Sequence, residues 1–424
     1  MILMSKGAPD VLIPRCSSYT TRSGSTLPLD ASALARITAI QESWAAKGQR
    51  VLLLAKRIIP GSLYHKLPPS DSADFADAVT SKLHVDLTIV GLVGIVDPPR
   101  EDIPRTVAIM RGAGIRFCMV TGDFATTALA IAEQCGIVTD ASTTHRMSDL
   151  DRDSTEVGEY NREGPIRSLV LSGSDLMEMN DTQWSLACTY AEVVFARTTP
   201  EQKLRIVKEF QKRGCVVGMT GDGVNDAPSL KAADIGIAMG GGSDVAMEAA
   251  DLVLLDSYVP NLLSANPSFS AITVAVEYGR LVFDNLRKTC LYLLPAGSFS
   301  ELMPILLNVF LGLPQILSNL QMIIICVLTD VLPAIALCHE SPEAGLLTRP
   351  PRDIKKDRLI DLKFFGHAYL FLGLLESLCA CSMAFWWLDK EGFRFGDLVL
   401  AYGGLPEQYD PDAYAEAVNK AQSM

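Results

Sequence analysis

Thr220–Gly240 reads TGDGVNDAPSLKAADIGIAMG. It sets Asp222 and Asp226 four residues apart among glycines, straight after the apolar run CVVGM at Cys215–Met219. A short apolar run of this kind fits a strand buried on both faces, and its carboxyl end is where a parallel sheet holds a ligand. Further runs of the same kind lie around it: LTIVGLVGI, IRFCMV, SLVLSG, EVVFA, DIGIAM and DLVLL. Helical patterns separate several of them. One covers Thr126–Gly136; another opens at Pro200, carries Glu201 in its first turn and closes at Gly214. The alternation predicts an α/β fold with a doubly wound parallel sheet.

The chain has 424 residues, room for two or three domains. Its hydrophobic fraction of 49% directs attention to membrane segments. A net charge of -12 argues against nucleic acid as a partner. Ten cysteines form no CxxC pair, and Cys379 and Cys381 lie in an apolar run. That pattern predicts reduced thiols rather than a disulfide scaffold or zinc site. The opening MILMSKGAPD has no long apolar core and reads as no signal peptide.

Composition changes near residue 289. Three apolar segments follow, Thr289–Leu313, Ile316–Leu337 and Phe364–Trp387, each long enough to cross a bilayer as a helix. A very short turn around Pro314 is expected between the first two. Arg280, Arg287 and Lys288 precede the first, and Arg349, Arg352, Lys355, Lys356, Arg358 and Lys363 lie between the second and third. The positive-inside tendency makes both sides cytoplasmic. Residues 1–288 are then cytosolic, and the tail after Trp387, with Asp397, Glu407, Asp410 and Asp412, lies outside. The polar stretch Val138–Arg167 reads as a surface excursion.

Four chemistry-bearing pieces fall at strand ends. Thr121-Gly122-Asp123 follows IRFCMV, Arg197 follows EVVFA, Lys203 opens the next helix, and Asp222, Gly223, Asn225 and Asp226 follow CVVGMT. A hydroxyl and a lysine that hold phosphoryl oxygens, with carboxylates that hold magnesium, are what phosphoryl transfer needs. Taken alone, TGD is more often a turn and a lysine near a helix start is usually solvated; the ordered set gives them weight. In the apolar segments, Glu301 and Asp330 are acids at a depth where an ionisable group is costly unless it lines a site. Pro295, Pro304 and Pro333 would loosen these helices and free carbonyls for ion coordination. The alternative is a carboxylate kept protonated or paired between helices. Glu376 is a weaker candidate.

The chain resembles the P-type cation-transporting ATPases, most of all the alpha subunit of the sodium/potassium pump branch, over nearly its whole length. KGAPD at Lys6–Asp10 with RCSS at Arg15–Ser18, GQRVL at Gly48–Leu52, and DPPR at Asp97–Arg100 are followed in the family's order by MVTGD, VFARTTPEQKL, MTGDGVNDAP, KAADIGIAMG, GSDV and AADLVLLD. GRLVFDNLRK at Gly279–Lys288 and LTDVLPAIAL at Leu328–Leu337 resemble the stalk and the sixth membrane helix. The resemblance implies ATP and Mg2+ as cofactors. Lys6 and Arg50 would contact ATP. Thr121, Gly122, Asp123, Arg197, Lys203 and Asn225 would line the phosphate site. Asp222 would ligate magnesium with Asp226 nearby, and Glu301, Asp330 and Ser298 would hold the transported ion. Monovalent cations (sodium, potassium or proton), membrane lipid and an accessory subunit at the outer loop are the implied partners, and the plasma membrane the implied location.

The implied layout is as follows. Residues 1–90 are the C-terminal part of a nucleotide-binding domain. Residues 91–256 are a phosphorylation domain of haloacid-dehalogenase-like fold without its first motif. Residues 257–288 are an insertion and stalk helix. Residues 289–388 hold three transmembrane helices with a basic cytoplasmic loop at 338–363. Residues 389–424 are an acidic outer tail.

Departures bound the resemblance. The family's phosphorylated DKTGT and its TGES loop do not occur, and Asp389-Lys390-Glu391-Gly392 falls on the outer side. GGGSD is one residue shorter than the family's string, and about eight residues near Asn261–Phe269 look inserted. Phe124 stands where that branch has histidine, Cys326 where it has an aspartate, and Ser298, shifted by one, where it has asparagine. The expectation is a partial pump, read as a fragment or a truncated gene model. The alternatives are a nucleotide-binding membrane pseudoenzyme or regulator, and a soluble-type phosphohydrolase.

Overall fold

The computed structural model describes residues 2–64, 68, 73–96, 98–150, 168–255, 270–353, 356–404 and 406–423. Asp97, the expected insertion at 261–269 and the greater part of the expected excursion, from 151 to 167, lie outside the described residues. The chain forms two compact units, Met1–Thr273 and Val274–Met424.

The first unit opens with a five-stranded mixed sheet. Its strands are β1 (Ile2–Gly7), β2 (Cys16–Thr20), β3 (Thr26–Pro28), β4 (Arg50–Ile58) and β5 (Leu87–Ile95), in the order β1-β4-β5-β2-β3. β4 alternates its burial, with Val51, Leu53 and Ala55 turned inward and Leu53 and Ala55 packed with Leu12, Leu87 and Ile89. The helix Ala31–Ala45 is capped by Asp30, which accepts from the Ala33 amide at 2.7 Å. One sequence expectation is corrected here. LTIVGLVGI does not join the parallel sheet, because β5 pairs antiparallel with β4 from Arg50↔Ile95 to Lys56↔Thr88. The expected boundary at residue 90 therefore cuts a strand. An apolar run announces burial but not which sheet it enters.

The rest of the first unit is parallel α/β. β6 (Cys118–Val120), β7 (Ser168–Ser172) and β8 (Glu192–Ala196) form one sheet in the order β6-β8-β7. β9 (Gly218–Gly221), β10 (Ile235–Met239) and β11 (Leu252–Leu254) form another in the order β11-β10-β9. The single doubly wound sheet expected from the sequence is thus two three-stranded sheets among the described residues. β6 and β9 are edge strands, each paired on one side. β9 is also more open than expected, with Gly218 and Thr220 exposed.

The double winding itself holds. Every residue of β8 is buried. Val193 and Phe195 face a cluster with Leu169, Trp184 and Phe210, whereas Val194 and Ala196 face Val107, Ala128 and Ala132. The helices Ile103–Gly112 and Ala125–Gln134 supply the second face. The helix Pro200–Lys212 follows the expected grammar, with Thr199 as cap, Pro200 first and Gly214 in the left-handed region at φ 80°.

A helix at Ala271–Leu293, all but its first three residues in the second unit, passes through a wide π-helical turn at Leu294–Phe299 into Ser300–Leu311. Among the described residues two helices are long and apolar enough to cross a membrane, Asn319–Cys338 and Leu362–Lys390, and Ser300–Leu311 is a shorter apolar helix. Ile323, Val327, Leu332 and Leu370 are more than half exposed, apolar surface that water does not favour. The expected turn at Pro314 is longer, running from Gly312 to Ser318, where Ser318 caps the next helix. The acidic tail contains a helix at Pro411–Gln422, capped by Asp410, whose Ala417 and Ala421 pack with Ala384 and Leu388.

Glu192 is fully buried at the start of β8 and accepts from the Thr139 amide (2.8 Å), the Thr139 hydroxyl (2.6 Å), the Ser168 hydroxyl (2.6 Å) and Arg111 (3.0 Å). Glu192→Ala strands these donors. It is expected to lower unfolding stability by about 3 kcal/mol, with Glu192→Gln costing less, measured by urea denaturation. A loss below about 1 kcal/mol would contradict this accounting.

Candidate functional site

The loop after β6 is tied to the loop after β8 by crossing backbone bonds. Thr121 N donates to Phe195 O (2.9 Å), Thr198 N to Thr121 O (3.1 Å) and Arg197 N to Asp123 O (3.0 Å). The Thr121 hydroxyl accepts from the Asp123 amide at 3.1 Å, and the Thr198 hydroxyl donates to Thr121 O at 3.0 Å. This network holds Arg197 at φ 55°, a backbone conformation uncommon outside glycine that persists only where surroundings enforce it.

A cleft of about 260 Å³ opens between these loops and the first sheet. Asp10, Gln41, Arg50, Gly122, Asp123, Phe124 and Arg197 are among its lining residues. Arg50 Nε lies 3.3 Å from Asp123 Oδ1, and Arg197 donates to Asp10 Oδ1 at 2.5 Å. The Arg197 guanidinium sits 5.7 Å from the Phe124 ring centroid. Two guanidinium groups, two carboxylates and an aromatic face thus meet in one hollow, where the arginines and the ring suit an anionic, partly planar ligand that displaces the carboxylates.

A second cluster lies at the end of β9. Lys203 Nζ donates to Asp226 Oδ1 at 2.7 Å, and both side chains are largely buried. Asp226 also accepts from the Gly223 amide at 3.4 Å. Gly221 makes this approach possible, since a Cβ there would lie 2.6 Å from the Asp226 Cβ. Gly242 does the same for Asp222, whose backbone oxygen a Cβ would meet at 2.7 Å. The Asp222 side chain is exposed and makes no hydrogen bond or ion pair among the described residues. Asp222 therefore fits a magnesium ion as a free hard oxygen donor, while Asp226 has one oxygen committed to Lys203.

In the second unit, Glu301 stands in the first turn of Ser300–Leu311, directly after the π-helical turn that contains Pro295. Asp330 follows another π-helical turn, Ile325–Thr329, whose Ile325 carbonyl accepts from the Asp330 amide at 3.0 Å. Glu301 Oε1 and Asp330 Oδ2 are buried without a hydrogen-bond partner among the described residues. Cys326 Sγ donates to Glu301 Oε2 at 2.9 Å.

Of the expected residues, the cleft brings together Arg50, Gly122, Asp123 and Arg197, with Thr121 bracing its floor. Lys203 and Asp226 form a pair outside the cleft lining, and Asn225 is exposed beside them. Lys6 is exposed on β1 and lies outside the cleft lining. The Ser298 side chain lies outside the described residues. Sequence reasoning missed Asp10, Gln41 and Tyr292, the last within electrostatic reach of Asp330. Asp10 sat inside the quoted KGAPD string; Gln41 and Tyr292 carried no motif signal.

Comparison with known proteins gives two family matches. A model described as "P-type ATPase, cytoplasmic domain N" matches residues 1–102, and one described as "Cation transporting ATPase, C-terminus" matches residues 314–422. The chain is 38% identical over 395 residues to potassium-transporting ATPase alpha chain 2 of Oryctolagus cuniculus, covering 93% of this chain and 34% of that protein. It is 37% identical over 404 residues to sodium/potassium-transporting ATPase subunit alpha-4 of Rattus norvegicus, covering 94% of this chain and 37% of that protein. The chain therefore spans about a third of the length of the curated relatives it matches.

Gly221→Ala drives a methyl into Asp226 and should cost about 1–3 kcal/mol in stability, read from denaturant midpoints. A variant as stable as the native chain would show that the Gly221–Asp226 approach is not constrained.

Proposed function

The chain belongs to the P-type cation-transporting ATPases, and on that premise we propose that it is part of a pump coupling ATP hydrolysis, through an aspartyl phosphate, to monovalent-cation transport across a membrane. The observation that carries the reading is the cleft that joins Arg50 of β4 to the Thr121-Gly122-Asp123 loop and Arg197.

In this reading Arg50 and Arg197 exchange their carboxylate partners for ATP phosphate oxygens, and Lys6 reaches the nucleotide from the rim. Thr121, Gly122 and Asn225 offer neutral donors to the phosphoryl group. Lys203, held by Asp226, places a positive charge beside the phosphate without a flexible search. Magnesium, when held by Asp222, would neutralise the charge that develops on the phosphoryl oxygens. The haloacid-dehalogenase-like fold supplies the remaining step. A strand ending in the phosphorylated aspartate, which is absent from this sequence, would lie between the free edges of β6 and β9 and complete one sheet. Arg116, just before β6, reaches Cys215, just before β9, with Nη2–Sγ at 3.5 Å, so the two edges stand over a common base.

The buried, unpartnered oxygens of Glu301 and Asp330 support a cation site between the apolar helices, with Ser298 proposed as a further ligand. Sodium, potassium and proton are the proposed cargo. The plasma membrane is the proposed location, with residues 1–288 cytoplasmic and the segment after Trp387 facing an accessory subunit. The second reading is a nucleotide-binding membrane pseudoenzyme or regulator.

The test joins a DKTGT-bearing segment ahead of Met1 and supplies radiolabelled ATP with Mg2+. An acid-stable, hydroxylamine-labile phosphoenzyme is expected, abolished by Asp222→Asn. Label retained in Asp222→Asn would reject the role of Asp222, and no label in the native joined chain would favour the second reading. In the same joined chain, Glu301→Gln is expected to weaken the cation dependence of dephosphorylation by about tenfold or more. An unchanged ion response would reject the cation site.

A further inference from the structure

The cation site is not built of oxygen alone. Cys326 lies in the π-helical turn Ile325–Thr329, one helical turn before Asp330, and its thiol donates to Glu301 Oε2 at 2.9 Å. The contact engages one Glu301 oxygen and leaves the other, Oε1, buried and unpartnered. Asp330, four residues on from Cys326, is 7% exposed, and its Oδ2 is likewise unpartnered among the described residues. Thiol, glutamate and aspartate therefore converge from two apolar segments. The sequence has no lysine, arginine or histidine between Lys288 and His339, so no side chain of these segments supplies a countercharge. Buried carboxylate oxygens without donors or countercharge call for a cation.

We propose that Cys326 is itself a cation ligand and makes this a mixed sulfur–oxygen site that favours a soft monovalent cation over a hard one of equal charge and similar radius. The proposal rests on the cation-site reading of Glu301 and Asp330 given above. A hard alkali ion gains little from sulfur and is held by the two carboxylates; a soft ion gains a third ligand. The thiol keeps its proton in the hydrogen bond to Glu301 Oε2 and offers a sulfur lone pair to the soft ion, so no covalent bond breaks and no proton moves. Glu301 Oε1 and Asp330 Oδ2 complete the ligand set.

Thallium(I) and potassium ions make the test, because they share charge and nearly share radius but differ in softness. Equilibrium binding of radioactive thallium(I) to the purified full chain in detergent, displaced by potassium, gives the ratio of the two affinities. The native chain is expected to prefer thallium(I) by about tenfold to a hundredfold. Cys326→Ser should bring the ratio near one by weakening thallium(I) binding, and Cys326→Ala serves as the second variant if serine does not fold. A thallium preference that survives both substitutions would overturn the sulfur ligand and leave the cation site standing. Absence of saturable binding of either ion to the native chain would overturn both, and Glu301→Gln, which should weaken both ions alike, identifies the binding as belonging to this site.

Discussion

A backbone amide or carbonyl taken out of water must find a partner, and this constraint places both candidate sites of the chain. In the first unit it is met by crossing the loops after β6 and β8, so that Thr121, Arg197 and Thr198 bond across to Phe195, Asp123 and Thr121. The crossing fixes Arg197 in a left-handed conformation and aims it at the cleft. Among the described residues β6 and β9 are each paired on one side, and their carboxyl ends carry the two TGD strings.

In the second unit the constraint acts through helices. Proline has no amide to donate, and Pro295 and Pro333 lie in or just after the π-helical turns at Leu294–Phe299 and Ile325–Thr329. These turns set Glu301 and Asp330 at irregular points of apolar segments, where carboxylates are otherwise costly. Local loosening of the backbone and the siting of acid are thus one arrangement. Cys326 belongs to it, since the same turn that precedes Asp330 brings the thiol onto Glu301.

Much of this was legible in the sequence. The helix at Pro200–Lys212 and the strands SLVLS, EVVFA and IGIAM follow from capping residues and apolar runs, because local chemistry decides them. The placement of β5 was not legible, since an apolar run serves an antiparallel and a parallel sheet equally well. Nor was the division into two parallel sheets, which depends on which edges find a neighbour. At the site, Arg50, Asp123 and Arg197 were marked by motif, but their meeting in one cleft with Asp10 and Gln41 is a product of tertiary packing. The Lys203–Asp226 pair turned two expected ligands into partners, a distinction that spacing along the chain does not carry. Gly221 carried no assignment of its own; its place beside Asp226, where a Cβ would not fit, is a product of packing.

The central claim is that the cleft between β4 and the TGD loop is a nucleotide site. Calorimetric titration of ATP with Mg2+ into the full chain in detergent, native and Arg50→Ala, addresses it most directly. Saturable binding to the native chain, weakened about tenfold or more by Arg50→Ala, is the predicted result. Equal affinity in the two proteins, or no saturable binding to the native chain, would contradict the account.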